Sequence, residues 1–130
     1  MDYSFDVFLD DERGLVRVVV NGEVFQAEGE TIITTARETA AKHNYNILCD
    51  MRAATSTVDF ARWYRLPRDL EVFNKSEARK TKSAVIVSQT DKALEGYKFY
   101  ETVSDNLGFK TRIFFEETEA LQWLDQNFES

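Results

Sequence analysis

The sequence has little of several things. It holds one cysteine, Cys49, one proline, Pro67, one histidine, His43, and five glycines in 130 residues. A single cysteine excludes an internal disulfide and leads to the expectation of a reducing, cytoplasmic setting. So little proline and glycine excludes collagen-like, linker-rich and low-complexity chains. Nothing around His43 has the spacing of a metal site or a catalytic triad, so no metal site is expected. The longest apolar run is Ala84-Val85-Ile86-Val87, far short of the roughly 20 residues a membrane-crossing helix needs. The opening MDYSFDVFLDDE is acidic and lacks the basic start of a secretory signal. Positive charge is outweighed: 16 Lys and Arg face 23 Asp and Glu, a net charge of −7. That balance counts against nucleic acid as the main partner.

Core material is plentiful. Hydrophobic residues make up 43% of the chain and aromatics 13%, too much for a disordered protein. The length suits a single domain over residues 1–130, able to bury roughly two thirds of its unfolded surface.

The pattern opens on two extended segments. Phe5, Val7 and Leu9 alternate with neighbours, and Asp11-Glu12-Arg13-Gly14 reads as a polar turn. Leu15 to Val20 is β-branched with Arg17 as its only charge, and Asn21-Gly22 reads as a second turn. From Glu28 to Asn44 the period changes to helical. Ile32, Ile33, Ala36 and Ala40 share one face, and Arg37, Glu38 and Lys42 are expected to point away. Asn46 to Asp50 reads as a buried central strand. Residues 53–58 read as a loop, with Ser56 or Thr57 capping a helix that carries Phe60, Trp63 and Tyr64 until Pro67 interrupts it. Ser83 to Ser88 is a strand, Asp91 to Asn106 a helix with Gly108 at its end, Thr111 to Phe115 a strand, and Glu117 to Asn127 a helix. The order ββαβαβαβα predicts an α/β fold. It has a mixed sheet of five strands, the later ones parallel, and about four helices.

Several of these segments together resemble the STAS family, the sulfate-transporter and anti-sigma-factor-antagonist domains with the SpoIIAA-like fold. The likeness is nearest to the small bacterial STAS/SEC14-like proteins. It is carried by the hairpin ending in Asn21-Gly22, Ile47-Leu48-Cys49-Asp50-Met51-Arg52, Ala84 to Ser88, Asn106-Leu107-Gly108-Phe109, and Glu119 to Leu124. The resemblance implies a SpoIIAA/STAS-like sheet and a regulatory role. In phosphorylated members an Asp near the strand end and a Ser at the next helix start carry the switch. Here the matching positions are Asp50 and Ser56 or Thr57. The family's Asp-Ser-Ser-Gly-like run is replaced by Thr55-Ser56-Thr57-Val58.

Each candidate group has a structural reading beside the functional one. Ser56 and Thr57 are candidates for phosphorylation at a helix start, or plain caps. Asp50 and Arg52 could hold a small anion at a strand end, or tie the loop down as a local salt bridge. Residues 62–82 carry seven basic and three acidic residues. With Phe60, Trp63, Tyr64 and Arg68 this stretch could grip an anionic or amphipathic ligand or an acidic protein partner, or be a solvated face. Cys49 sits in a buried pattern and reads as a small hydrophobe.

The expectation is a non-catalytic cytoplasmic binding or regulatory module with no cofactor. It would act through a protein partner or a small amphipathic or anionic ligand, and the aromatic helix would offer a homodimer contact. One alternative is a receiver-like phospho-acceptor in which Asp10, Asp11 and Asp50 gather around Mg²⁺, with Ser88 or Thr90 and Lys110 nearby. A second is a small enzyme of unassigned class, although no phosphate loop, nucleophile elbow or zinc-ligand set is present.

Overall fold

The computed structural model describes residues 3–56, 80–90 and 94–126, without the side chains of Gln26 and Ser56. The elements are β1 (Tyr3–Asp10), β2 (Leu15–Val24), α1 (Gln26–His43), β3 (Asn46–Ser56), β4 (Lys82–Ile86), α2 (Leu94–Asn106), β5 (Lys110–Phe114) and α3 (Glu117–Asp125). One five-stranded sheet runs in the order β1-β2-β3-β4-β5. β1 is antiparallel to β2, and β2 to β5 are mutually parallel. The mixed α/β sheet is therefore as expected. Three helices are present among the described residues. The helix expected to follow Thr57, with Phe60, Trp63, Tyr64, Arg68 and Pro67, lies outside them.

Side-chain alternation divides the core into two. Val16, Val18, Val20, Ile47 and Met51 face one side, where Ile32, Ala36 and Ala40 of α1 and Tyr97 and Tyr100 of α2 cover them. Leu15, Leu48, Ala84 and Ile86 face the other, against Ala120 and Leu124 of α3. The period of two along each strand and the helical stripes meet here. The parallel strands β3 and β4 are covered from both sides, which explains the short apolar runs Ile47–Cys49 and Ala84–Ile86 within them.

Local signals set most of the ends. The turn at Asp11–Gly14 is formed, with Gly14 at φ 66°, a conformation that suits a residue without Cβ. The Gly14 carbonyl accepts from the Asn46 amide at 3.0 Å, and Asp11 accepts from the Tyr45 hydroxyl at 2.7 Å. The hairpin turn is thereby tied to the start of β3. Asn44 ends α1 at φ 58°, one of the few non-glycine residues suited to that conformation. At the other terminus the Glu28 carboxylate accepts from the Phe25 amide at 3.0 Å. The end of α3 is closed from outside. Lys82, at the start of β4, donates its Nζ to the carbonyls of Leu124 at 3.0 Å and of Trp123 at 3.4 Å, and also to that of Gln126. A cation is favoured where a helix leaves its last carbonyls unpaired.

Three local expectations are corrected. Asn21-Gly22 is not a turn: both residues lie inside β2, Gly22 at φ 93°. Residues 53–56 are not a loop but the continuation of β3, paired through Ala53–Ser56 with Asn21–Val24. Ser56 is thus the last residue of a strand. Arg37 does not point away: it is 6% exposed, its guanidinium 5.9 Å from the centre of the Phe109 ring. It sits at the flank of the apolar stripe, one turn beyond Ile33, where α2 closes over it. The long side chain of arginine can pack its stem and stack its planar head.

Candidate functional site

Parallel pairing of β2 and β3 contains an irregularity beside a line of charged residues on the described surface. Val19 is opposite Asp50, and the next pair is Asn21 with Ala53. Two residues of β3, Met51 and Arg52, therefore face one residue of β2, Val20. This is a β-bulge, a device that re-aims side chains. Its effect shows in the burial: Met51 is buried on the helix-covered face, and after the extra residue Ala54 is buried there too. Arg52 is left on the opposite face, with Asp50.

The two close on each other. Arg52 donates Nε to Asp50 Oδ1 at 3.0 Å and Nη2 to Oδ2 at 2.8 Å, and its amide also donates to Oδ1 at 3.0 Å. A planar guanidinium matches both oxygens of a carboxylate. The side-chain hydrogen bond from Arg52 holds the Asp50 carboxyl below its ordinary value. Burial opposes that, and the Arg52 amide and charge add to it. Arg52 is raised in return.

The pair belongs to a longer line of alternating charge. Arg17 of β2 donates Nε to Asp10 of β1 at 3.0 Å and lies 3.7 Å from Glu117, at the start of α3. Glu117 in turn lies 3.8 Å from Arg52. The sequence of charges is Asp10, Arg17, Glu117, Arg52, Asp50, drawn from three strands and one helix. Of these, Asp50 and Arg52 were expected as site residues and Asp10 only within the receiver-like cluster. Arg17 and Glu117 were not expected. The signal that could have found Arg17 is its isolation as the one charge in the apolar run Leu15–Val20, because a half-buried cation needs a partner.

The other candidates fall as follows. Asp50 and Arg52 lie in the middle of β3, not at its end, because the strand continues to Ser56. The receiver-like cluster is overturned. β1 is an antiparallel edge strand, and Asp10 pairs with Leu15, which pairs with Asn46. That is four residues before Asp50, roughly 13 Å along the strand. Asp10 is bound to Arg17, Asp11 to Tyr45 and Asp50 to Arg52, so the three carboxylates do not converge. No His, Cys, Asp or Glu group able to hold a metal is found among the described residues. Ser88 and Thr90 bond to each other, with hydroxyls 2.9 Å apart, and Lys110 opens β5. Cys49 packs against the core. Burial, with the Asp50 charge adding to it, pushes its thiol up to about 12. Thr57, Phe60, Trp63, Tyr64 and Arg68 lie outside the described residues.

Two solved structures share this arrangement from end to end. An anti-sigma factor antagonist from Mycobacterium paratuberculosis superposes with a TM-score of 0.59 over 96% of this chain and 96% of its own, at 14% identity. An uncharacterized protein of the DUF3478 family with a SpoIIAA-like fold, from Shewanella loihica PV-4, superposes with a TM-score of 0.56 at 15% identity. That match covers 94% of this chain and 93% of the other. The chain has a SpoIIAA-like fold. The resemblance seen in the sequence is thus upheld at the level of fold. No protein-family model and no curated protein matches the chain. None of the described helices of this SpoIIAA-like fold is long and apolar enough to cross a membrane.

Proposed function

We propose that this SpoIIAA-like chain is a non-catalytic regulatory module that acts by binding a protein partner in the cytoplasm. Its contact surface would be the charged face at Asp50 and Arg52, extended by Phe60, Trp63, Tyr64 and Arg68. Ser56 and Thr57 are the positions where phosphorylation would modulate that contact. The observation that carries this reading is the end-to-end likeness to an anti-sigma factor antagonist.

The chemistry of the described groups supports it. With its carboxyl held below the ordinary range by Arg52, Asp50 stays ionised near neutral pH and is poorly suited to donate a proton. With its thiol raised to about 12, Cys49 stays protonated and is a weak nucleophile. A surface of alternating, partly exposed charges suits partner selection, since charge pattern governs encounter rate and discrimination more than raw affinity.

The test is affinity capture of the tagged chain from its source cells, with quantitative comparison to Arg52→Ala and Ser56→Asp variants checked for folding by circular dichroism. The expected result is one partner recovered in stoichiometric amount with the parent chain and depleted with the variants. Native mass spectrometry supplies the contrary outcome. A purified chain that retains a small molecule and recovers no partner would replace this reading with ligand binding.

A further inference from the structure

The two edges of the sheet are built differently. β5 is short, five residues, and carries Lys110 and Arg112. Arg112 is exposed and Lys110 partly so; short length and cations at an edge are the usual guards against strand addition. β1 is eight residues long and holds no lysine, arginine or proline. Its pairing with β2 is regular from Tyr3 opposite Gly22 to Asp10 opposite Leu15. No strand pairs with its outer side among the described residues. It also carries two exposed large apolar side chains on opposite faces, Phe8 at 48% and Leu9 at 38% exposure. An unguarded edge with exposed apolar groups is a template for another strand.

We propose that β1 pairs antiparallel with β1 of a second copy of this chain, on a twofold axis at Val7. The occupant follows from the strand's own sequence. A twofold pair must place like faces together, so odd residues oppose odd and even oppose even. An axis at Asp6 sets the two Asp6 carboxylates directly against each other. An axis at Phe8 sets Asp6 against the second copy's Asp10, twice. An axis at Phe5 overlaps only five residues and leaves Phe8 and Leu9 uncovered. The axis at Val7 sets Phe5 against Leu9, Val7 against Val7, Asp6 against Phe8 and Ser4 against Asp10. It covers both exposed apolar residues and opposes no two acids directly. The apolar line Tyr3, Phe5, Val7 and Leu9 on the helix-covered face then continues into the second copy. The two Asp6 side chains fall on a diagonal of about 7–8 Å, within the screening length of ordinary salt. This closed, isologous contact adjoins the charged line described above, with Phe8 opposite Arg17 and Asp10 bound to that arginine, but leaves Asp50 and Arg52 outside the pairing.

Analytical ultracentrifugation of the full chain over a concentration series tests it. The parent chain is expected to be a monomer–dimer equilibrium that tightens in high salt, as the Asp6 diagonal is screened. Phe8→Asp places a carboxylate against Asp6 in both symmetry-related pairs and is expected to weaken the dimer about tenfold. Phe8→Lys places a cation there and is expected to keep or tighten it. Gln122→Lys, on the exposed side of α3, makes the same change in net charge away from β1 and should leave the dimer near the parent value. Both Phe8 variants alter an exposed side chain, so circular dichroism should report unchanged folding. A chain that stays monomeric at every concentration and salt overturns the proposal. So does a dimer indifferent to the sign of charge at position 8, or association that grows beyond two copies.

Discussion

The Arg52 guanidinium and the Asp50 carboxylate, two residues apart on β3, meet through two side-chain hydrogen bonds of 3.0 and 2.8 Å. Residues two apart on a strand point to the same face, roughly 7 Å apart, within reach of an arginine side chain, and here they flank Met51 at the bulge. The pair is partly exposed, with side-chain accessibilities of 43% for Arg52 and 26% for Asp50, so its contribution to stability is modest. Replacing Asp50 by Asn is expected to cost about 1 kcal/mol or less at neutral pH. Its pH dependence has a definite sign. A carboxyl depressed in the folded state stabilises in full above its unfolded pKa of about 3.9, and that contribution fades as pH falls through the lower folded value. Urea denaturation at neutral pH and in steps below about pH 4 should show the parent and Asp50→Asn converging in acid.

Cys49 should be inert in the native state. Its thiol, raised to about 12 by burial, carries almost no thiolate at pH 8. A disulfide reagent added to the folded chain is expected to react slowly, and within the mixing time once urea unfolds it. Rapid labelling of the native protein would show that the thiol is open to solvent.

Lys82 tests the closure of α3. Its Nζ serves the carbonyls of Trp123, Leu124 and Gln126, and it lies 5.8 Å from the centre of the Trp123 ring. Lys82→Met keeps most of the stem and removes the donor. The expected loss is about 1–2 kcal/mol, from the lost dipole interaction and carbonyls left without a partner. Thermal unfolding measures it, and Trp123 fluorescence should shift in the same variant.

Gly22 tests the reading of Asn21-Gly22 as part of a strand. At φ 93° it occupies backbone space that side chains rarely enter. Gly22→Ala is expected to destabilise by about 1 kcal/mol or more. The same substitution at Gly29, inside α1 with no positive φ, should instead be neutral or stabilising by up to about 1 kcal/mol. Equal effects at both positions would mean that Gly22 is not strained.

The element order was legible because its signals are local. Val16, Val18 and Val20 alternate, Ile32, Ala36 and Ala40 recur at helical spacing, and Gly14, Asn44 and Gly108 stand where the chain turns through positive φ. Each of these needs only its neighbours. The errors arose where one local signal had two tertiary outcomes. Asn-Gly ends a hairpin or lies within a strand with equal local comfort. β3 could take Asn21–Val24 as its continued partner only because a bulge restored the inward aim of Ala54. Arg37 looked solvent-facing because its charge is visible in the sequence while the arrival of α2 and Phe109 is not.

The candidate site was legible in part, for the same reason. Asp50 and Arg52 are near neighbours and could be named together. Arg17 and Glu117 are separated by 99 intervening residues, and their meeting depends on α3 returning across the face that β2 presents. By itself the sequence determined which segments would be strand or helix and which side of each would be apolar, because backbone geometry and side-chain period act over a few residues. Only the tertiary structure decided which charges would share a face, because that depends on strand order, register and one extra residue in β3.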